Sequence, residues 1–512
     1  MHHQVESQDE VFGFMGEAAT HGHAVQRIDT HAAAVFLAGE RAYKIKRAVR
    51  FPFLDYGTLD KRKQACEAEL EVNRPFAGAL YRRVVAITRE ADGRLALDGA
   101  GTPAEWAVEM RRFDVEATLD RLAERREIDL ALADALGRAV AAAHAGLPEV
   151  AAEPWLAMLA RTLDQNDAEL AEWPDLFAPA RVTELGRASR TALARLVPLL
   201  RARGARGLIR RGHGDLHLGN IVLIEGTPVA FDAIEFDPLI AAGDLLYDLA
   251  FLLMDLVERG LGTAANVVLN RYLVETRRAE DLDALAALPL FLSLRAAIRA
   301  KVTAARLETA AEDARAGIAR SARGYFDLAC DLIAPAAPRL VAVGGLSGTG
   351  KSALAAALAP EIVPAPGAVV LRSDVERKAL FGLAETERLP AEAYRSEVGA
   401  RLYATLTEKA RRVLAAGHSA IVDAVFARPE ERAAIAAVSP AFHGLFLTAD
   451  LATRVARVGG RAGDASDADA AVARRQESYD LGALDWTRVD AGGSPEETRA
   501  RAMAALGLTA SN

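Results

Sequence analysis

The stretch Gly345-Leu346-Ser347-Gly348-Thr349-Gly350-Lys351-Ser352 decides the fold of the C-terminal part of this chain. It fits the pattern G-x-x-x-x-G-K-[ST] and follows the apolar run Leu340-Val341-Ala342-Val343. It leads into Ala353-Leu354-Ala355-Ala356-Ala357-Leu358-Ala359, a strong helix former. Strand, loop and helix therefore come in the order that phosphate binding requires. The glycines let consecutive backbone N–H groups curl around a polyphosphate at the helix N-terminus. Gly345, Ser347, Gly348, Thr349 and Gly350 would form that cradle. Lys351 would reach the β- and γ-phosphates, and the Ser352 hydroxyl would sit on Mg²⁺. This half of the chain is expected to bind a nucleoside triphosphate.

A second signature lies about 130 residues earlier, where His213-Gly214-Asp215-Leu216-His217-Leu218-Gly219-Asn220 has the H-x-D-x-x-x-x-N spacing of a kinase catalytic loop. In that reading Asp215 accepts the proton of an attacking hydroxyl and Asn220 holds a Mg²⁺ ion. The apolar run Pro228-Val229-Ala230-Phe231 then delivers Asp232, placed as a second metal ligand. The turn Glu225-Gly226-Thr227 predicts a hairpin that brings the two ligands together.

The 512 residues allow three or four folding units with large cores. An apolar content of 51% with 26% charged residues is ordinary for a soluble globular protein. A net charge of −8 and a pI near 5.8 argue against a general nucleic-acid binder, which carries a basic face. Cys66 and Cys330 match no metal or disulfide framework, which fits a reducing cytoplasm. No basic segment with an apolar core follows Met1. The apolar stretches Leu245 to Leu256 and Leu288 to Leu294 fall short of the roughly 20 residues that span a bilayer. The expectation is a cytoplasmic protein without a nucleic-acid or membrane partner.

Along the chain, Ala32 to Leu37 and Arg41 to Lys46 flank Ala38-Gly39-Glu40 as a hairpin. Leu59 to Phe76 has helical spacing, and strands follow at 83–88 and 106–110. Residues from about 115 to 205 and about 240 to 332 read as helical. Ala334-Pro335-Ala336-Ala337-Pro338 reads as a linker, so that a piece ending near Ala334 is expected to fold alone. Beyond it, apolar runs at 340–343, 368–371, 419–422, 444–448 and 487–489 alternate with helical segments, which predicts a parallel sheet.

The first half resembles the aminoglycoside phosphotransferase family, the small-molecule branch of the protein-kinase fold. The resemblance runs from "VFLAGERAYKIKR" through "HGDLHLGN" and "FDAIEFDP" to "GDLLYDLAFLLMDL". It implies an α+β kinase-like domain over residues 1–333, with lobes at about 20–112 and 113–333. Such a domain transfers a phosphoryl group from ATP to a small-molecule hydroxyl, with Asp215 as base and Asn220 and Asp232 on Mg²⁺. The strand lysine on the phosphates would be Lys46 or Lys44, which alternation puts on one face; Lys46 is favoured because the apolar Ile45 precedes it. Glu69, with Glu67 as rival, would orient that lysine, and backbone near Met110 to Phe113 would hold adenine. Thr30-His31-Ala32-Ala33-Ala34 stands where a glycine-rich phosphate loop would lie. Asp244 and Asp248 resemble structural aspartates of the family.

Residues 339–512 resemble small P-loop kinases of the gluconate-kinase, shikimate-kinase and zeta-toxin type. In "LRSDVERKALFG" the resemblance makes Asp374 the residue that binds and deprotonates an acceptor hydroxyl. Asp423, at the end of Ala420-Ile421-Val422-Asp423, becomes the candidate for the Mg²⁺ shell or the acceptor. Arg454, Arg457 and Arg461, with Arg474 and Arg475, read as an arginine-rich lid over the transferred phosphoryl. Val489-Asp490-Ala491-Gly492-Gly493 resembles an adenine loop.

As a whole the chain resembles the bifunctional aminoglycoside phosphotransferase/ATP-binding proteins. This implies two ATP- and Mg²⁺-dependent kinase modules acting on small-molecule hydroxyls of the sugar, aminosugar or amino-alcohol type. The alternatives are a nucleotide sensor whose first domain gates the second, and a toxin-like kinase.

Overall fold

The computed structural model describes residues 5–51, 54–459 and 465–508. Its contacts divide the chain into two compact units, Met1–Asp255 and Leu256–Asn512. This differs from a division at the Pro/Ala segment, because residues 256–333 group with the P-loop sheet. Residues 334–337 are exposed and have no regular secondary structure. Among the described residues no helix is long and apolar enough to cross a membrane.

In the first unit, α1 (Asp9–Gly16) and α2 (Ala18–His21) precede β1 (Val25–Asp29), β2 (Ala33–Ala38) and β3 (Arg41–Lys46). A short ladder of β4 (Arg50–Phe51) with β5 (Leu54–Asp55) leads to α3 (Leu59–Ala77). Then come β6 (Tyr81–Arg89), β7 (Leu95–Leu97) and β8 (Thr102–Arg111). Apart from that short ladder, these strands form one antiparallel sheet in the order β1-β2-β3-β8-β6-β7. Strand alternation sorts the side chains. Ala34, Phe36, Tyr43 and Ile45 pack on Val11, Phe12 and Met15 of α1. Lys44 and Lys46 point the other way and reach α3. The α3 stripe Ala65, Cys66, Glu69, Val72 and Asn73 is buried at helical spacing. The edge strand β1 carries almost no apolar pattern, so only its pairing with β2 makes it a strand.

A helical block follows: α4 (Leu119–Glu124), α5 (Leu130–Ala145), α6 (Ala152–Ala171) and α7 (Pro179–Gly204). After β9 (Ile209–Arg211) comes the hairpin of β10 (Ile221–Ile224) and β11 (Thr227–Ala230). Beyond it lie α8 (Pro238–Ala241), β12 (Ala242–Asp244) and α9 (Leu245–Glu258). The segment expected to be helical from about 240 is thus interrupted by β12, which pairs antiparallel with β9.

The second unit opens with α10 (Gly262–Thr276), α11 (Ala279–Ala284), α12 (Leu288–Ala305) and α13 (Glu312–Leu332). Strands and helices then alternate: β13 (Leu340–Gly345), α14 (Lys351–Leu358), β14 (Val369–Arg372), α15 (Ser373–Leu380), α16 (Ser396–Ala415), β15 (Ala420–Asp423) and α17 (Pro429–Ala436). The last elements are β16 (Phe442–Thr448), α18 (Leu451–Gly459), α19 (Ala470–Arg475), β17 (Thr487–Asp490) and α20 (Pro495–Leu506). The five strands are parallel in the order β14-β15-β13-β16-β17. Val341, Val343, Ile421, Leu445 and Leu447 bury against Leu354 and Leu358 of α14 and Met503 and Leu506 of α20. Near-continuous apolar strands are what a sheet covered on both faces demands.

Candidate active sites

In the first unit the catalytic-loop residues converge between β9 and the hairpin. The N–H groups of His213 and Gly214 donate to Asp248 Oδ2 and Oδ1 at 2.8 and 2.9 Å, which fixes the loop. Asp244 is held by Arg203 and accepts from the Leu246 N–H. Buried His213 donates from Nε2 to the Phe231 carbonyl at 2.9 Å, and burial lowers its pKa, so it stays neutral. Asn220 Nδ2 donates to Asp215 Oδ2 at 2.9 Å. His217 accepts from the Gly219 N–H at Nδ1, which puts its proton on Nε2, and that nitrogen lies 3.4 Å from Asp215 Oδ2.

The hairpin register carries the chain from Asn220 back to Asp232, with the Phe231 N–H donating to the Asn220 carbonyl at 2.8 Å. Asp232 adopts φ +62°, a left-handed conformation costly for a residue with a Cβ. Its N–H donates to the Tyr81 hydroxyl, and the next N–H, of Ala233, donates to Asn73 of α3. Lys44 Nζ lies 2.8 Å from Glu69 Oε1 and 2.5 Å from Asp232 Oδ1. Burial would raise the Asp232 carboxyl, but Lys44 more than offsets it and holds the group below the usual carboxylate range. Lys46 Nζ lies 2.5 Å from Glu69 Oε2 and also pairs with Glu235, which accepts from the Tyr56 hydroxyl.

Of the two lysines it is therefore Lys44 that touches Asp232, the aspartate expected on the metal, whereas the sequence favoured Lys46. Glu67 is exposed beside Lys63, so Glu69 is the inward acid. Near the expected adenine strand, the Arg111 and Arg112 N–H groups are taken by the Leu80 and Glu40 carbonyls. Thr30 closes a tight turn onto Ala33 where a glycine-rich loop would lie.

In the second unit, Gly345 and Gly348 have φ of +141° and +87°. A Cβ on Gly348 would lie 2.4 Å from the Arg454 carbonyl oxygen, so only glycine fits there. Ser352 Oγ donates to Asp423 Oδ2 at 2.5 Å, and Arg372 Nε lies 3.6 Å from the same oxygen. Thr349 turns its hydroxyl back to the Leu346 carbonyl, which shapes the loop. Burial and the nearby Asp423 push the Asp374 carboxyl above the usual range, despite Lys351. Ser347, Lys351, Asp374, Asp423, Tyr394 and Arg475 line one cavity of about 1600 Å³. Mg²⁺ is usually bound by one or two protein groups plus phosphate oxygens. The pairs Asn220 with Asp232 and Ser352 with Asp423 fit that donor set.

The lid arginines part company. Arg454 is buried, donating from Nε to the Ser347 carbonyl at 3.0 Å and from a terminal nitrogen to the Ala473 carbonyl at 2.7 Å. Arg457 donates to the carbonyls of Ala491 and Gly493 and so holds the expected adenine loop, away from the cavity lining. Arg461 lies outside the described residues. Exposed Arg475 lines the cavity. Its neighbour Gln476, which the sequence did not flag, accepts from the Ser347 N–H at 2.6 Å. Glu235, Tyr56 and Tyr81 were missed as well. Only Glu235 carried a signal, as an acid three residues beyond Asp232.

Comparison with known proteins assigns two stretches of the chain to families. The model for the phosphotransferase enzyme family matches residues 59–288, and that for an AAA domain matches residues 340–479. An uncharacterized protein of Mycobacterium tuberculosis (strain H37Rv) is 30% identical over 487 residues, covering 92% of this chain and 93% of the relative. One of Mycobacterium bovis matches to the same extent. Among solved structures, a choline/ethanolamine kinase family protein from Mesorhizobium loti is 14% identical, covering 64% of this chain and 98% of that one, with a TM-score of 0.38. A gluconokinase from Sinorhizobium meliloti is 21% identical, covering 33% of this chain and 92% of that one, with a TM-score of 0.25.

Proposed function

Since the chain belongs to the family that joins a phosphotransferase domain to an AAA-type P-loop domain, we propose that it carries two kinases, each moving the γ-phosphoryl of ATP to a hydroxyl of a small molecule. The observation that carries this is Lys44 bridging Glu69 and Asp232 beside the Asp215–Asn220 pair. In the first site Asp215 takes the hydroxyl proton, with His217 and Asn220 holding its carboxylate in place. Lys44 meets the phosphates, and Lys46 neutralises Glu69 and Glu235. In the second, the P-loop N–H groups and Lys351 grip the phosphates, and Asp374, its basicity raised by burial, takes the acceptor proton. Mg²⁺, held by Asn220 and Asp232 or by Ser352 with Asp423, would offset the negative charge that builds on the phosphoryl oxygens. The acceptor class is the sugar, aminosugar or amino-alcohol type. A cytoplasmic setting without nucleic-acid or membrane partners belongs to the same proposal, supported by a net charge of −8 and the presence of only two cysteines in 512 residues.

The test is a phosphoryl-transfer screen of the full chain with ATP·Mg²⁺ against sugars, aminosugars, amino alcohols and nucleosides, with Asp215→Asn and Lys351→Ala run alongside. Each module should lose transfer in its own variant. Transfer that survives in both variants would remove the assignment of both sites.

A further inference from the structure

Among the described residues the five-stranded sheet ends at β14, an edge with backbone groups that no sixth strand satisfies. Two asparagines of α10 take that place. The Val370 N–H donates to Asn270 Oδ1 at 2.7 Å, and Asn270 Nδ2 donates to the Ala368 carbonyl at 3.1 Å. Asn266 Nδ2 donates to the same carbonyl at 3.1 Å and is only 2% exposed. The side-chain amide of Asn270 thus pairs with the strand as a neighbouring peptide group would. Gly367 is where the two approach, since a Cβ there would lie 2.6 Å from Asn266 Nδ2. Charged contacts flank the amides: Arg271 with Glu385 at 2.6 Å, and Asp283 with Arg412 of α16 at 2.5 Å.

By sequence, α10 and α11 lie inside the phosphotransferase match, which ends at residue 288. By contact they belong to the P-loop unit. Strand β14 runs directly into Ser373 and Asp374, four residues beyond Val370.

We infer that α10 is a working part of the second kinase, with Asn266 and Asn270 as positioning residues that fix β14 and, through it, the Ser373–Asp374 end of the acceptor site. The clamp stands on its contacts alone; its consequence for transfer rests on the reading of Asp374 given above. Hydrogen exchange on the full chain separates the two. In Asn270→Ala the amides of residues 368–376 should exchange about tenfold faster, as expected where a buried hydrogen-bonded edge opens locally. Those of 340–352 should keep their rates, and Asn266→Ala should give a smaller change at the same place. Asp283→Ala, which loosens the same helical segment without touching β14, serves as control and should leave 368–376 unchanged. Unchanged exchange in Asn270→Ala, or equal acceleration in the control or across the whole sheet, would overturn the clamp. Local acceleration, with Lys351-dependent transfer and its pH profile both unaltered, would instead refute the role of Asp374 in the acceptor site.

Discussion

At the scale of the residue, the two lysines of β3 separate by what they neutralise. Lys44 sits between Glu69 and Asp232, where a nucleotide's phosphates would gather, and Lys46 sits between Glu69 and Glu235. Lys44→Ala should weaken Mg²⁺·ATP binding to the first module while the fold survives. Lys46→Ala should leave the largely buried Glu235 without its cation, with Glu69 keeping only Lys44, and cost about 3–5 kcal/mol of stability. Nucleotide titration and urea unfolding of both variants check this, and the reverse pattern would hand the phosphate role to Lys46. Asp215→Asn should cut transfer by about 10²–10⁴-fold, the range of general-base catalysis, with nucleotide affinity nearly unchanged. Equal loss of affinity in Asp215→Asn and Asp232→Asn would contradict the split between base and metal ligand. The acid, amide and lysine types were legible because each sits in a spaced motif. The choice between lysines was not, since alternation gives both the same face and only the position of Asp232 tells them apart.

At the scale of the element, the loop between α16 and β15 carries a pH-sensitive group. His418 is buried and donates from Nε2 to the Gly367 carbonyl, and burial pushes its pKa down to about 4. A histidine kept neutral in the fold takes up its proton more readily when unfolded. Its contribution is therefore complete above the unfolded value of about 6.5 and drains away as pH falls toward 4. The gap between the two values corresponds to about 3 kcal/mol. Exchange of buried amides in β13 and β15 between pH 7 and 4 should follow that loss, and His418→Gln should flatten it. An identical slope in the variant would assign the acid sensitivity elsewhere. Packing of α18 also separates the arginines expected to form a lid. Arg454 sits on the buried face of α18, so it braces the P-loop, whereas Arg475 reaches the cavity. Helical spacing in the sequence marked the arginines but not which face packs inward.

At the scale of the whole molecule, the Pro/Ala segment joins two parts of one compact unit. A protease site placed between Ala334 and Pro338 should, once cut, leave two fragments that stay associated on size exclusion, held by α10 and α11 against the P-loop sheet. Separation into independent species would restore the linker as the true boundary. What the sequence by itself determined was the pair of domain types, kinase-like and P-loop, their order and the parallel character of the second sheet. These rest on local signals: glycines that tolerate φ above zero, acids at fixed spacing, and apolar runs separated by helix formers. What only the tertiary structure decided was the role of residues whose partners lie far along the chain. Lys44 meets Asp232 across 188 positions, Gln476 meets Ser347 across 129, and Asn270 meets Val370 across 100. Such pairings arise from packing between elements, and a linear pattern holds no record of which faces will come together.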